Sequence, residues 1–336
     1  MDTTPKFSTY REVLKKAFTV VKQHRFLWFF GFFAAFLSAG GEFQSVFKNY
    51  SGLAEKTDNI FSWNSLIQGG LLSSLADNLK AFFSSYPWQA FFMLLMFVVL
   101  LIVIIWLSII SQIALFDSAN KINKGKKISY ADGYQSGNKY FSKVLLINIV
   151  IKVIMYGLFI VLSAPLVASF LGGNNILGGL FFVFLIFFIY VPISVIISFI
   201  IKYAVAYIVI QGKQAGESVK MGWELFKKNW LISVEMAFVI LVIGVGVGLV
   251  ILLALGISAI PFILISSAAL LLGWGGVFAA ATIIGVIVWF VIIAIIGSAY
   301  VSYQYVAWTL IFLKLVDEKA ESKLKRWFGA LTAKKV

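Results

Sequence analysis

The sequence predicts an all-α fold, a polytopic integral membrane bundle of about six transmembrane helices. Hydrophobic residues make up 61% of the 336 residues and charged residues only 12%, against about 45–50% and about 25% in soluble domains. The 33 Phe and 10 Trp residues add more apolar surface than a water-soluble fold can bury. The charged residues also stand between long apolar runs, which is typical of membrane spans and their connections.

Six apolar runs are candidates to cross the membrane, since about 30 Å of hydrocarbon takes roughly 20 helical residues. They are Phe26–Gly41, Trp88–Phe116, Val144–Leu171, Leu180–Ile210, Trp230–Gly256 and Val277–Leu313. The first run has only 16 residues, so flanking charged side chains must snorkel or the bilayer must thin.

The stretch Ile257–Gly276 is also apolar, but a seventh span would place the basic C-terminal tail on the opposite side from the other cations. We therefore expect a kinked extension of the fifth span or a helix at the outer interface. Pro261 and Gly273–Gly276 are the expected breaks.

Lys and Arg are distributed unevenly between the two sides of the predicted membrane. The N-terminal segment, residues 117–143, residues 211–229 and the tail from Lys314 hold 23 of the 28, whereas the opposite side holds Lys48, Lys56 and Lys80. The positive-inside rule places both termini in the cytoplasm of a multi-pass cell (plasma) membrane protein. We expect one membrane domain over residues 1–336, with an outer loop at 42–87 and a cytoplasmic tail at 314–336. Helical spacing of apolar residues from Ile67 to Phe82 predicts an interfacial helix in that loop.

Three segments that precede spans resemble one another. They read YREVLKKAFTVVKQ (Tyr10–Gln23), YADGYQSGNKYFSK (Tyr130–Lys143) and AGESVKMGWELFKK (Ala215–Lys228). In register, an acid coincides at Glu12, Asp132 and Glu217, and a small residue at Ala17, Gly137 and Gly222. The pattern predicts three parallel repeats of an amphipathic helix plus two spans, over residues 8–116, 127–210 and 213–313, related by a pseudo-threefold axis.

Each of these amphipathic segments looks like a helix start. Thr9 with Glu12 and Ser129 with Asp132 match the capping box, whereas Gln214 replaces the capping Ser or Thr in the third copy. The apolar stripe either lies in the headgroup layer or packs on the neighbouring spans, and the two are compatible. In the first copy its residues are Tyr10, Val13, Leu14, Ala17, Phe18 and Val21. Anionic lipid headgroups are the expected partners of the cations Arg11, Lys15, Lys16, Lys22, Arg25, Lys139, Lys143, Lys227 and Lys228.

Polar residues within the predicted spans form a candidate layer about 8–15 Å from the cytoplasmic boundary. Its members are Asn148, Lys152, Lys202, Glu235 and Gln304. An unpaired carboxylate in hydrocarbon is costly, so Glu235 is expected to pair with Lys152 or Lys202. The layer is either a set of snorkelling lysines with a structural ion pair or a substrate-contacting site.

Motifs for catalysis, metals and cofactors are not found. His24 is the only histidine and there is no cysteine, so zinc-site and cysteine-nucleophile patterns are excluded. Gly244 and Gly248, and Ala281 and Gly285, predict close helix contacts. We therefore expect no enzyme activity, no cofactor and no metal site. We also expect no nucleic-acid partner, because the positive charges that give the net charge of +14 are separated by apolar runs.

The phrases ESVKMGWELFKKNW and KQHRFLWFFGF resemble a group of poorly characterised prokaryotic six-span membrane proteins. These are similar to the membrane domain of glycerophosphodiester phosphodiesterases. The resemblance implies an all-helical membrane fold and a link to lipid metabolism or envelope upkeep. It carries no catalytic residue, and no phosphodiesterase domain is expected after Leu313.

Two functions follow as hypotheses. The first is a non-enzymatic membrane protein that handles amphiphiles in lipid or envelope homeostasis. The second is a small-solute or ion transporter that uses the polar layer as its site. The sequence leaves the oligomeric state open.

Overall fold

The computed structural model describes residues 9–38, 84–171 and 176–317. These residues form an all-α bundle without β-strands, as the sequence predicts. Within them the helices are α1 (Thr9–Gln23), α2 (Phe26–Ser38), α3 (Pro87–Asn123), α4 (Tyr130–Leu171), α5 (Ile176–Gln211), α6 (Ala215–Lys228), α7 (Trp230–Leu271) and α8 (Gly275–Val316).

Five of these helices, α3, α4, α5, α7 and α8, are long and apolar enough to cross a membrane. They contain the second to sixth predicted spans, so the prediction of a multi-pass membrane protein is confirmed at this level. The helix of the first predicted span, α2, begins at Phe26 as expected, and its 13 residues rise about 20 Å. A crossing by α2 stays a prediction. The predicted helix from Ile67 to Phe82, and most of the outer loop and tail, lie outside the described residues.

The apolar stretch after the fifth predicted span belongs to α7, which continues through Pro261 to Leu271. The part of the stretch from Ile257 to Leu271 therefore extends the fifth-span helix, while a kink in it and its position in the membrane stay predictions. Pro261 does not end the helix. The chain reverses just after Leu271, where Gly273 has φ of 69°, a left-handed conformation that glycine adopts without a Cβ penalty.

Small residues bring α7 and α8 together along this hairpin. A Cβ on Gly244 would collide with the Tyr300 hydroxyl, and one on Gly285 would lie 3.1 Å from the Phe262 ring. The prediction of close contacts at these two glycines is confirmed. At Gly248 it is wrong, because nothing lies within 4 Å of a Cβ placed there.

The starts of α4 and α6 are held by different polar contacts. The Ser129 N–H donates to the Asp132 carboxylate at 2.8 Å and the Asp132 N–H donates back to Ser129 Oγ at 3.4 Å, which is the predicted capping box. Gln214 makes no side-chain cap. Instead, the hydrogen bond and the positive charge of Lys213, 2.6 Å from Glu217, hold the pKa of Glu217 below its ordinary value.

Buried residues are concentrated at one end of the bundle, which we call the core end. Their longest runs lie within residues 108–120 of α3, 199–209 of α5 and 298–315 of α8. Towards the opposite end the helices expose apolar side chains, and every residue of α3 from Phe91 to Val103 is exposed. Helices that are apolar on all sides are typical of membrane spans surrounded by lipid tails.

The core end is built from three central helices and three amphipathic segments. The central helices α3, α5 and α8 contact one another. The amphipathic segment at the start of α4 packs on α3, α6 packs on α5, and α1 packs on α8. The outer helix α2 fills the space between α3 and α8, and α4 continues from α3 to α5.

A small residue lies at the same aligned position in each amphipathic segment. A Cβ on Gly137 would lie 3.1 Å from the Ile110 carbonyl oxygen of α3, and one on Gly222 would lie 3.0 Å from the Ile200 carbonyl oxygen of α5. Ala17, at this position in α1, is fully buried. At Gly222 the two nearest atoms belong to the backbone of α5, and at Gly137 the nearest atom is Cγ2 of Ile110, at 2.5 Å. A larger side chain at either glycine would therefore force the helices apart.

Candidate functional site

The predicted polar layer is spread over four helices: Asn148 and Lys152 on α4, Lys202 on α5, Glu235 on α7 and Gln304 on α8. Asn148 is buried, while Lys202, Glu235 and Gln304 are half-buried. Lys152 is exposed on the outer surface of α4. Its exposure separates Lys152 from the four residues that lie in or beside the core.

Asn148 joins α4 to α3. Its Nδ2 donates to Gln112 Oε1 at 3.2 Å and to the Val144 carbonyl oxygen at 2.9 Å. Gln112 is itself buried, so each amide satisfies part of the hydrogen-bonding need of the other. Sequence reasoning missed Gln112, although a glutamine inside an apolar run was a signal that could have found it.

Glu235 accepts a hydrogen bond from the Tyr10 hydroxyl, which ties the first amphipathic helix to α7. A second polar contact holds α1 to α8, with Lys314 Nζ 2.7 Å from the Glu12 carboxylate. The sequence named Glu235 as a residue that needs a partner and did not foresee Tyr10. Pairing of Glu235 with a lysine stays a prediction, and Lys202 is the better candidate because α4 packs mainly on α3, α5 and α6.

Lys202 lies over aromatic rings at the core end. Its Nζ is 4.6 Å from the centre of the Trp308 ring and 6.0 Å from that of Phe199, a distance at which the ring face attracts the cation. Beside it, the Tyr203 hydroxyl is hydrogen-bonded to Ser233 Oγ at 2.7 Å and joins α5 to α7. This aromatic and hydroxyl surround was not predicted, because it is assembled from three helices.

A buried carboxylate that sequence reasoning missed lies near the end of α3. Asp117 pairs with Lys121 Nζ at 2.6 Å and accepts a hydrogen bond from Ser136 Oγ of α4. The acid and the lysine are one helical turn apart, a spacing that could have revealed them. The contact fixes the start of α4 against α3.

The cations predicted to contact anionic lipid form much of the surface around the core end. Eight of the nine are exposed: Arg11, Lys15, Lys16, Lys22, Arg25, Lys139, Lys227 and Lys228. Lys143 is half-buried, with its Nζ 3.5 Å from the Lys213 carbonyl oxygen. Three further exposed lysines, Lys124, Lys126 and Lys127, lie in the α3–α4 connection and were not among the predicted contacts.

The apolar stripe of α1 packs mainly on protein. Tyr10, Val13 and Ala17 are buried against the bundle, which matches the second of the two interpretations of the stripe. Phe18, which the sequence placed on the stripe, is instead 62% exposed, and Trp230 at the start of α7 is 55% exposed. Exposed aromatic side chains beside cations are typical of a membrane–water interface.

Comparison with known proteins gave no match to a protein-family model, to a curated protein or to a solved structure. Within the described residues no group of three or more His, Asp or Glu side chains is close enough to hold a metal ion. The ring of His24, at the end of α1, lies within hydrogen-bond distance of the Val20 carbonyl oxygen, with Nδ1 at 3.1 Å. The chemistry that the core end offers is thus ionic and hydrogen-bonding contact, with cations and aromatic rings on its surface.

Proposed function

We propose that this chain is a non-enzymatic integral protein of the cell (plasma) membrane that handles amphiphiles in lipid or envelope homeostasis. The observation that carries the proposal is the surface of the core end, where eight predicted lipid-contacting cations are exposed beside exposed aromatic rings. Beyond the core end, most of the side chains that the helices expose are apolar. Such a surface attracts anionic headgroups, at about 1 kcal/mol for each Lys or Arg near the membrane.

The orientation proposed from the cation distribution places the core end and both termini in the cytoplasm. The native chain has no cysteine, so a single Ala333→Cys variant reports on the tail directly. We expect this cysteine to stay unlabelled by an impermeant reagent in intact cells and to react after permeabilisation. Labelling in intact cells would contradict the orientation.

The three-repeat organisation is supported by how the amphipathic segments pack. Under the proposed repeat, the segment of the second unit contacts the last helix of the first, and that of the third contacts the last helix of the second. The segment of the first unit, α1, contacts α8, the last helix of the third. This order closes a ring, as a pseudo-threefold arrangement requires.

Cross-helix hydrogen bonds at aligned positions give independent support to the repeat. Asn148 and Ser233 follow the starts of their amphipathic segments by the same number of residues. Asn148 bonds to α3 and Ser233 to α5, in each case the preceding central helix. In the first unit the Leu27 carbonyl oxygen, one position earlier, accepts from Ser302 of α8 at 2.8 Å.

Anionic-lipid contact is tested by neutralising cations at the core end. In non-ionic detergent, phosphatidylglycerol should raise the unfolding temperature of the protein more than phosphatidylcholine does, because a ligand of the folded state stabilises it. The triple variant Arg11→Gln, Lys15→Gln, Lys16→Gln should lose about 3 kcal/mol of attraction, which is about 100-fold in lipid affinity.

The chain offers a matched control for this experiment. The triple variant Lys48→Gln, Lys56→Gln, Lys80→Gln removes the same charge from the opposite predicted side and should keep the response to phosphatidylglycerol. Equal loss in both triple variants would mean that net charge, and not the core-end surface, attracts the lipid. No preference for phosphatidylglycerol in the unaltered protein would contradict the proposal.

The alternative function is a small-solute or ion transporter, and the observation in its favour is the half-buried carboxylate of Glu235 near the core. The two functions differ in what occupies the bundle. Ordered acyl chains between the repeats in an experimental density map would favour lipid handling. A water-filled cavity bordered by Lys202 and Glu235 would favour solute transport.

A further inference from the structure

A line of polar side chains runs along α5 away from the core end. Its members, Tyr190, Ser194, Ser198 and Lys202, follow one another at intervals of four residues, so they lie along one side of the helix. All four are half-buried and therefore partly accessible. The line rises about 18 Å, more than half of the roughly 30 Å hydrocarbon thickness.

A second line lies on α4, beginning one turn after the buried Asn148. Lys152 and Tyr156, also four residues apart, are both exposed, and the Tyr156 side chain is 63% exposed. Among the described residues Lys152 has no ion-pair partner. A cation and a phenol on the outer surface of an apolar helix require a polar group from outside the chain or must reach for the interface.

The two lines meet at their far ends. The ring of Phe159, on α4, packs edge-on against Tyr190 of α5, with ring centres 5.4 Å apart. Tyr156 lies three residues before Phe159 and therefore on the same side of α4, the side that faces Tyr190. Lys152, Tyr156, Tyr190, Ser194, Ser198 and Lys202 thus form what we call the polar track of the α4–α5 hairpin.

The track is a local feature of this hairpin. The part of α3 that lies beyond the core end, from Phe91 to Leu107, contains no polar side chain apart from the indole N–H of Trp106. On α7, beyond the core, Ser258 donates to the carbonyl oxygen of Leu255 in its own helix, as Ser194 does to that of Val191 on α5, but α7 contains no lysine. Neither of these two helix stretches has a line of hydroxyl groups with a lysine at one end.

The exposure of the track decides which kind of ligand fits it. A water-soluble solute needs an enclosed path, whereas Lys152 and Tyr156 face the surroundings of the bundle. A ligand with a polar head and hydrocarbon tails can place the head on the track and leave the tails in the bilayer. Lysine ammonium groups at one end bind phosphate, and phenol and serine hydroxyls further along can form hydrogen bonds to phosphate or glycerol oxygens.

We propose that the polar track guides the headgroup of a glycerophospholipid across the bilayer, so that the protein moves phospholipid between leaflets. This inference rests on the proposed function, lipid handling, and names its substrate class and route. The lysines receive the phosphate at the core end, and the phenols replace part of its hydration within the hydrocarbon. The acyl chains stay in lipid throughout.

The test uses the full chain in vesicles of phosphatidylcholine and phosphatidylglycerol with a trace of acyl-labelled fluorescent phosphatidylglycerol. Dithionite bleaches only the outer leaflet, so protein that moves lipid should extend bleaching beyond the outer-leaflet share. Lys152→Met and Tyr190→Phe should return bleaching to that of protein-free vesicles. Ser258→Ala is the matched control and should behave like the unaltered protein.

Folding is checked separately by the unfolding temperature. Tyr190→Phe keeps the ring that packs on Phe159, and Lys152 lies outside the core, so neither substitution should disturb the fold. Both variants should unfold at the temperature of the unaltered protein. The track is overturned if the unaltered protein bleaches no further than protein-free vesicles, or if both track variants match Ser258→Ala. If the preference for phosphatidylglycerol in detergent persists in that case, only the track fails. If that preference is also absent, the proposed function fails with it.

Discussion

Gly222→Ala is the substitution that most directly tests how the amphipathic segments are held. The added methyl would lie 3.0 Å from the Ile200 carbonyl oxygen and 3.2 Å from the Ala204 nitrogen, both on α5. Both neighbours are backbone atoms of one helix, so they cannot move aside without shifting α5 or α6. Overpacking of this kind costs about 1–3 kcal/mol, and the better helix propensity of alanine offsets up to about 1 kcal/mol of it. We expect Gly222→Ala to lower the free energy of unfolding by about 1–2 kcal/mol.

Gly216 supplies a matched control on the same helix. A Cβ at Gly216 meets nothing within 4 Å, so Gly216→Ala should change stability only through the backbone. Replacing a helical glycine by alanine stabilises by up to about 1 kcal/mol. The two variants should therefore shift stability in opposite directions, although each adds a single methyl group.

The assay is reversible unfolding in mixed detergent micelles, followed by circular dichroism or tryptophan fluorescence. Gly137→Ala, at the aligned position on α4, should also destabilise the protein, because its Cβ would lie 2.5 Å from Cγ2 and 3.1 Å from the carbonyl oxygen of Ile110 on α3. If Gly222→Ala is as stable as Gly216→Ala, the close approach of α6 to α5 is wrong. If only one of the two aligned glycines is sensitive, the packing at this position is not repeated.

Three further outcomes concern polar contacts. Tyr10→Phe should cost about 1–2 kcal/mol in the same unfolding assay, and Glu235→Gln should add little in that background; additive costs would contradict the bond. If Glu235 also pairs with Lys202, Lys202→Met should restore part of the stability lost in Glu235→Gln, and a further loss would contradict the pair. The pKa of Glu217 lies below its ordinary value of 4.5. The contribution of the Glu217 carboxylate to the free energy of unfolding is therefore complete above pH 4.5 and is lost as the pH falls through the lowered pKa. Lys213→Met should remove this pH dependence, which is small because the pair is exposed. If the stability of the variant depends on acidic pH as that of the unaltered protein does, the Lys213–Glu217 pair is wrong.

Several residues of the candidate site could be predicted from their own chemistry and from the residues next to them in the chain. A glutamate or lysine within an apolar run is conspicuous because its burial is costly, and this marked Lys202 and Glu235. The sequence also predicted which cations contact lipid, and most of them lie on the exposed surface of the core end. It did not single out Tyr10 or Trp308, because a tyrosine or tryptophan near a membrane boundary is ordinary and gains its role only through the helix that it contacts.

The sequence by itself determined the helical membrane fold and the starts of several helices. Hydropathy and capping are local properties, so the box at Ser129 and Asp132 and the beginning of α7 at Trp230 follow from a few adjacent residues. Only the tertiary structure decided where the core lies and which side chains meet. Tyr10 reaches Glu235 across 225 positions in the chain, and this contact depends on α1 packing against α8, which no local pattern encodes.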